Sequence, residues 1–157
     1  MTRDELASAI AAYGAGLEAE LTLLRQLQRL AALQHEVIAG SKLDLLPPIG
    51  DERERLMASL VEVEHQIRPM REVLARAIDQ ASGAPGFGDV VALHRAAGQL
   101  VSTILSADQE TTQALRDAEV ARRFAAQAIE QGESTLAAYR RVIAPPLPGA
   151  ALVDRRG

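Results

Sequence analysis

The sequence contains no cysteine and no tryptophan, and its 157 residues include only two phenylalanines and two tyrosines. The lack of cysteine excludes disulfide bonds, thiolate nucleophiles, cysteine-ligated zinc and iron–sulfur clusters. Aromatic residues are enriched in strands, so their scarcity disfavours an all-β fold. The abundant residues are instead Ala, Leu, Gln, Glu and Arg, which are typical of long helices.

An excess of positive charge and a long apolar run are also missing. The formal net charge is −4, and no basic surface interleaved with aromatic residues can be recognised, which argues against nucleic acid as a partner. The first residues, MTRDELASAI, include acids and no apolar run, and nowhere do about 18 apolar residues follow one another. We therefore expect a cytoplasmic protein without a secretion signal and without membrane insertion.

Apolar residues recur three and four positions apart along most of the chain, which predicts long amphipathic helices over 3–38, 51–81 and 89–143. The expected fold is all-α: an antiparallel, coiled-coil-like bundle of three long helices within one domain, 1–144, with the last helix the longest. If that helix breaks near 106–112, where Ser106 and Gln109 form a capping pattern, the bundle has four helices. Three prolines and a basic end predict a flexible tail over 145–157.

Several local patterns support these helices. Thr2 with Glu5 and Asp51 with Glu54 both have the spacing of a capping box, which marks a helix start. Residues 39–50 and 82–89 are rich in glycine and proline and predict connections. Gly14 and Gly16, in the first helix, either weaken it or allow a neighbouring helix to approach closely.

The second helix has a regular heptad seam, which is typical of helices that pack along their whole length. Pro69 lies within the segment, and because the apolar phase continues through it, we expect a kink there and not a boundary. The seam positions are Leu56, Leu60, Val63, Ile67, Met70, Leu74, Ala77 and Ala81.

The predicted third helix, about 55 residues, is much longer than the second, about 31 residues, so its end lacks a partner in a hairpin. This overhang, about 120–143, still carries an apolar stripe. A partner protein, the first helix or a second copy of the chain could cover it. The candidate partner-binding residues are Phe124, Ala128, Ile129, Leu136, Tyr139, Val142 and Ile143.

No residue pattern predicts a catalytic, metal or cofactor site, so we expect no enzyme activity. Glu62 and His65 have the spacing of di-iron carboxylate bundles, but those sites need a second copy of the motif, which the sequence lacks. His94 with Gly98 is similar to the H-x-x-K-G pattern of histidine-phosphotransfer bundles, except that Ala97 replaces the lysine. We interpret Glu62 and His65 as solvated surface residues.

Three segments together resemble the FlgN and FliT type of flagellar export chaperone. They are the Leu-rich LEAELTLLRQLQRLAAL, the Arg/Glu-rich DERERLMASLVEVEHQI, and the closing TLAAYRRVIAPPLPGAALVDRRG with its near-terminal tyrosine and basic end. The resemblance implies a small acidic chaperone of the type III export pathway. Such a chaperone binds the terminal helix of a hook–filament junction or filament-cap protein, prevents premature assembly and delivers the client to the export gate.

In that family the last helix makes much of the client and gate contact, and the resemblance gives Tyr139 the role of gate docking. Client binding would follow the helix-in-groove mode. Two alternatives remain open: a coiled-coil scaffold or adaptor whose stripe is used in self-association, for example as a homodimer, and a histidine-phosphotransfer bundle using His94.

Overall fold

The computed structural model describes residues 1–143, with side chains through Arg141, and the predicted tail over 145–157 lies outside this range. Residues 1–143 form helices and turns and contain no strand, which confirms the all-α fold with three long helices. The elements are α1 (Arg3–Ala39), a 3₁₀ turn (Leu43–Leu45), α2 (Leu46–Arg76), the short α3 (Ile78–Ala81) and α4 (Phe87–Ile143).

The chain divides into two compact units, Met1–Ala114 and Leu115–Gly157. The first unit contains α1, α2, α3 and the beginning of α4. The described part of the second unit is the remainder of α4. The boundary between the units therefore falls within one helix.

The core of the first unit consists of two clusters in which α1, α2 and α4 all take part. The first cluster contains Leu17, Leu74 and Val90, and the second contains Leu24, Leu56 and Ile104. Along α1 and α4 the chain passes from the first cluster to the second, whereas α2 runs from the second to the first. The three helices thus pack as the expected antiparallel bundle.

The predicted start of α1 is confirmed. The Thr2 hydroxyl accepts a hydrogen bond from the Glu5 backbone N–H at 3.2 Å, and the Thr2 backbone N–H donates to Glu5 Oε2 at 2.7 Å. These two bonds satisfy backbone donors that the first helical turn leaves free. Gly16, further along α1, faces Ile67 so closely that an added Cβ would overlap the isoleucine side chain. The predicted close approach at this glycine is therefore confirmed.

The predicted start of α2 at residue 51 is wrong, because the helix begins at Leu46 and Asp51 lies inside it. Pro47 and Pro48 occupy the first turn, where a missing N–H costs nothing and the fixed φ suits a helix. The connection after α1 is correspondingly shorter than 39–50. In this setting the Asp51 and Glu54 pattern is a pair of acids within a helix, not a cap.

The heptad seam of α2 is confirmed, since all its members are buried or half-buried. Pro69 lies inside the continuous helix, as expected. The end differs from the prediction at residue 81: α2 stops at Arg76, where Ala77 leaves the helical region with φ −106° and ψ 29°. The last seam residue, Ala81, is fully buried, but it belongs to the short α3.

The alternative of a helix break near 106–112 is wrong, because α4 is a single helix of 57 residues. Both guanidinium Nη atoms of Arg53 donate to the Asp108 carboxylate at 2.8 Å, which joins α2 to α4 inside the segment in question. The helix begins at Phe87, two residues before the predicted position. Gly86 directly precedes it and has φ +85°, a conformation that favours glycine.

Candidate functional site

The predicted partner-binding residues lie in the second unit, on the part of α4 that follows Leu115. Every side chain described from Leu115 to Arg141 is exposed except the half-buried Glu119. The exposed fractions of the large apolar side chains are 68% for Phe124, 62% for Ile129, 67% for Leu136 and 61% for Tyr139. Val142 and Ile143 belong to the helix, but their side chains lie outside the described residues.

These residues share one face of the helix. At about 100° per residue, positions 124, 128, 129, 136 and 139 fall within an arc of about 140°. The helix surface away from this arc carries charge: Arg122 and Arg123 both pair with Glu119. We call Phe124, Ala128, Ile129, Leu136 and Tyr139 the exposed stripe. Its geometry is that of an amphipathic helix whose apolar face is in water.

A second candidate site, which the sequence reasoning missed, is a groove of about 510 Å³ in the first unit. The groove is open to solvent and lies where α1, α2 and α4 meet. Leu17 and Leu24 of α1 are buried, whereas Val61 of α2 and Val101 of α4 are exposed. The charged and polar lining residues are Glu20, Glu64, His65, Arg68, Arg71 and His94.

Five of the polar side chains at or beside this groove form one network across three helices. Arg71 Nη2 donates to both carboxylate oxygens of Glu64, at 2.7 and 2.6 Å. Arg71 Nε donates to the Tyr13 hydroxyl at 3.2 Å, and this hydroxyl lies 3.3 Å from His94 Nδ1. Glu20 completes the network by hydrogen bonding to Glu64. We call these five residues the polar network.

The polar network shifts the pKa values of its two carboxyl groups in opposite directions. Burial, the hydrogen bond to Glu64 and the negative charge of Glu64 raise the pKa of Glu20 to about 7. The hydrogen bonds from Arg71 hold the pKa of Glu64 below its ordinary value. Hydrogen bonding to Glu64 likewise raises the pKa of Arg71. Of these two neighbouring carboxyl groups, Glu20 therefore keeps its proton to a higher pH than Glu64 does.

The residues that the sequence analysis weighed for chemistry lie at or near this groove. His65 and Glu62 are exposed, as predicted, and Glu62 accepts a hydrogen bond from Gln66 at 3.2 Å. His94 is exposed and contacts Tyr13 as described above. Within residues 1–143, no group of three or more His, Cys, Asp or Glu side chains is arranged to hold a metal ion.

A signal for Glu20 was present in the sequence. Leu17, Leu21 and Leu24 define the apolar face of α1, and Glu20 lies three residues after Leu17, on that same face. An acid at such a position is rarely buried unless a partner is available. The partner could not be identified from spacing, because Glu64 lies 44 positions from Glu20 on another helix.

The apolar character of α4 also bears on membranes. An 18-residue window within Phe87–Arg141 reaches a mean hydropathy of 1.2, enough by length and composition to cross a membrane, and 17% of it is buried. The core helix of a soluble protein can pass the same test, and Val90, Ala97 and Ile104 of α4 are core residues of the first unit. The absence of membrane insertion stays a prediction.

No protein-family model, curated protein or solved structure matches this chain. The class that the fold defines is an all-α helical bundle.

Proposed function

We propose that this protein is a cytoplasmic export chaperone that binds the amphipathic terminal helix of a flagellar hook–filament junction or filament-cap protein. It holds the client until delivery to the export gate and prevents premature assembly. The observation that carries the proposal is the exposed stripe: four large apolar side chains on one helix face, each more than 60% exposed. The sequence resemblance to FlgN and FliT chaperones supplies the choice of client.

Energetics favour a partner for this surface. Complete burial of a large apolar side chain is worth about 1.5–3 kcal/mol, so covering four of them completely is worth at most about 6–12 kcal/mol before the costs of association. An amphipathic client helix fits the mode in which anchors recur three, four and seven residues apart, and Leu136 lies seven residues after Ile129 and three before Tyr139. In this proposal, Tyr139 also contacts the export gate.

The test measures binding of a synthetic peptide of a junction-protein C-terminal helix to the full chain. We expect the double substitution Leu136→Ala with Tyr139→Ala to weaken binding by about tenfold or more, because both anchors are removed. Circular dichroism and the melting curve should stay nearly unchanged, since both side chains are already in water. Loss of helicity in the double variant would contradict the proposal, because the residues would then be needed for folding.

A matched control on the same helix is Glu130→Ala with Ser134→Ala. Both residues are exposed and lie outside the arc of the stripe. Like the double substitution in the stripe, these changes leave alanine at both positions, so both variants are compatible with the helix. We expect client binding to be unchanged in this control.

The alternative of a self-associating coiled-coil scaffold has one observation in its favour. Ala121, Ala125, Ala128 and Gly132 lie along the same face as the stripe, and small residues let two helix axes approach closely. Light scattering at several protein concentrations distinguishes the two functions. A tight dimer that binds no client peptide favours the scaffold, whereas a monomer that binds the peptide favours the chaperone.

A further inference from the structure

The groove in the first unit has an apolar end and a basic end. At the apolar end, Val61 of α2 and Val101 of α4 are 64% and 40% exposed on either side of the groove. Leu24 of α1, which is buried in the second core cluster, lines this end as well. Large apolar side chains therefore surround this end while it stays open to solvent.

At the other end, most polar groups already have partners inside the molecule. Glu64 is bound by Arg71, Arg71 also binds Tyr13, and Glu20 binds Glu64. Among the described residues, the groups left over are the Arg68 guanidinium, the imidazole of His65 and Nε2 of His94. Arg68 and His65 make no hydrogen bond or ion pair with any other residue among 1–143, although the positive charge of Arg68 helps to lower the pKa of Glu64, and only Nδ1 of His94 has a partner there. The remaining chemistry of this end is complementary to an anion.

The two ends have the same separation on both helices. Val61 and Arg68 are seven residues apart on α2, and His94 and Val101 are seven residues apart on α4. Because α2 and α4 are antiparallel and Arg53 pairs with Asp108, Val61 is level with Val101 and Arg68 is level with His94. Seven residues make two helical turns, about 10 Å.

We propose that this groove binds an amphipathic helix of a partner protein that carries a carboxylate two turns from its apolar anchor. The anchor lies between Val61 and Val101, and the carboxylate pairs with Arg68. An α-helix is the occupant because a seven-residue interval on its own face reproduces the distance between the two ends. The site is separate from the exposed stripe and does not depend on it.

The test uses three synthetic helical peptides of about 18 residues, long enough to populate a helix in an alanine-rich background. Each has a leucine and, seven positions on, a glutamate, a glutamine or a lysine. Fluorescence anisotropy measures their binding to the full chain. We expect the glutamate peptide to bind about tenfold more tightly than the glutamine peptide, because a charge-assisted hydrogen bond to Arg68 is lost in the latter.

Two substitutions test the roles of the basic end and the apolar end of the groove in peptide binding. Arg68→Glu should reverse the preference, so that the lysine peptide binds more tightly than the glutamate peptide. Val61→Asp should weaken all three peptides about tenfold, because the anchor then meets a charge. The matched control is Arg76→Glu: Arg76 is an exposed arginine of the same helix outside the groove, and its substitution should leave the peptide preference unchanged.

Equal binding of the glutamate and glutamine peptides would overturn the proposal, and so would loss of the preference in Arg76→Glu. It would also be overturned by competition from millimolar inorganic phosphate that abolishes peptide binding, or by dissociation of a dimer in Val61→Asp. Competition by phosphate would identify a simple anion site, and a dimer would identify a second copy as the occupant. Leu136→Asp, measured in parallel, separates this site from the proposed chaperone surface: binding lost in Leu136→Asp and retained in Val61→Asp would place the peptides on the stripe.

Discussion

The two stretches of α4 follow the same heptad phase but differ in burial. In the first unit, Val90, Ala97, Ile104 and Thr111 recur every seven residues, and all four are buried. In the second unit, the same phase continues through Ala118, Ala125, Gly132 and Tyr139, and all four are exposed. The heptad period therefore determines which face of a helix would be buried, but not whether anything covers it.

The composition of the two stretches changes at the same place. The seam of the first stretch includes Val90 and Ile104, whereas the seam of the second is mostly alanine and glycine, with its large apolar residues displaced to the flanks of the face. Phe124 and Leu136 are such flanking residues. The first stretch is built to pack within the unit. The second offers a shallow surface between larger side chains, which suits a helix from another molecule.

The largest expected effect is on the free energy of unfolding, and it is seen by substituting two isoleucines of α4, one in each unit. Ile104 is 7% exposed and packs in the second core cluster, whereas Ile129 is 62% exposed. Ile104→Ala should lower the free energy of unfolding by about 2–5 kcal/mol, because it leaves a cavity. Ile129→Ala should change it by less than about 0.5 kcal/mol. Urea titration followed by circular dichroism measures both.

Since the chemical change is identical in these two variants, each serves as the control for the other. Equal destabilisation by the two substitutions would show that the end of α4 is covered in solution by the same molecule or by a second copy. Repeating the titration at two protein concentrations separates these cases, because only association makes the midpoint concentration-dependent.

The fold could be predicted from the sequence where the local signals agree with each other. The start of α1 followed from Thr2 and Glu5, and the packed face of α2 followed from its unbroken seam. The start of α2 was missed because Asp51 and Glu54 have capping spacing but are also ordinary acids on a helix surface. Pro47 and Pro48 suit a first helical turn, and α2 accordingly begins at Leu46, just before them.

Of the two candidate sites, too, only one could be predicted from the sequence. The stripe could be identified because its residues are close in sequence and share one helix face. The groove could not, because it requires α1, α2 and α4 to be placed side by side. Spacing identifies residues on one helix, whereas the partners of Glu20 and Tyr13 depend on tertiary packing.

The next largest effect is expected when alanine replaces one of two glycines of the helices, one in each unit. An added Cβ at Gly16 would overlap the Ile67 side chain and lie 3.2 Å from its Cβ, whereas one at Gly132 would meet nothing within 4 Å. Gly16→Ala should therefore destabilise the first unit by about 1–3 kcal/mol, since the β-branched Ile67 cannot move aside freely. Gly132→Ala should raise helicity, because alanine is favoured over glycine by up to about 1 kcal/mol in a helix.

Thermal unfolding followed at 222 nm checks both glycine variants. A higher melting temperature for Gly16→Ala would contradict the tight approach of α1 to α2. A fall in helicity for Gly132→Ala would contradict an open helix surface in the second unit. Either result would remove the difference in packing on which the comparison of the two units depends.

The smallest effect concerns charge, and it is confined to the first unit. Glu20 has its pKa raised to about 7 by burial and by Glu64, so the folded chain holds a proton that the unfolded chain releases near its ordinary pKa of 4.5. The native state therefore binds more protons between these two values, and stability should fall as the pH rises from about 5 to about 8. Arg71, which also faces Glu20, opposes the shift.

Glu20→Gln keeps the hydrogen bond to Glu64 but cannot ionise, so it should remove this part of the pH dependence. The variant should gain on the order of 1 kcal/mol over the native chain at pH 8 and little at pH 5, in urea titrations at both values. Glu18→Gln, an exposed acid on the same helix, is the control and should follow the native chain. If Glu20→Gln keeps the native slope, the proton is not held at Glu20. Glu20 and Glu64 would then both be charged, and α1 would meet α2 across two carboxylates beside the positive charges of Arg71 and Arg68.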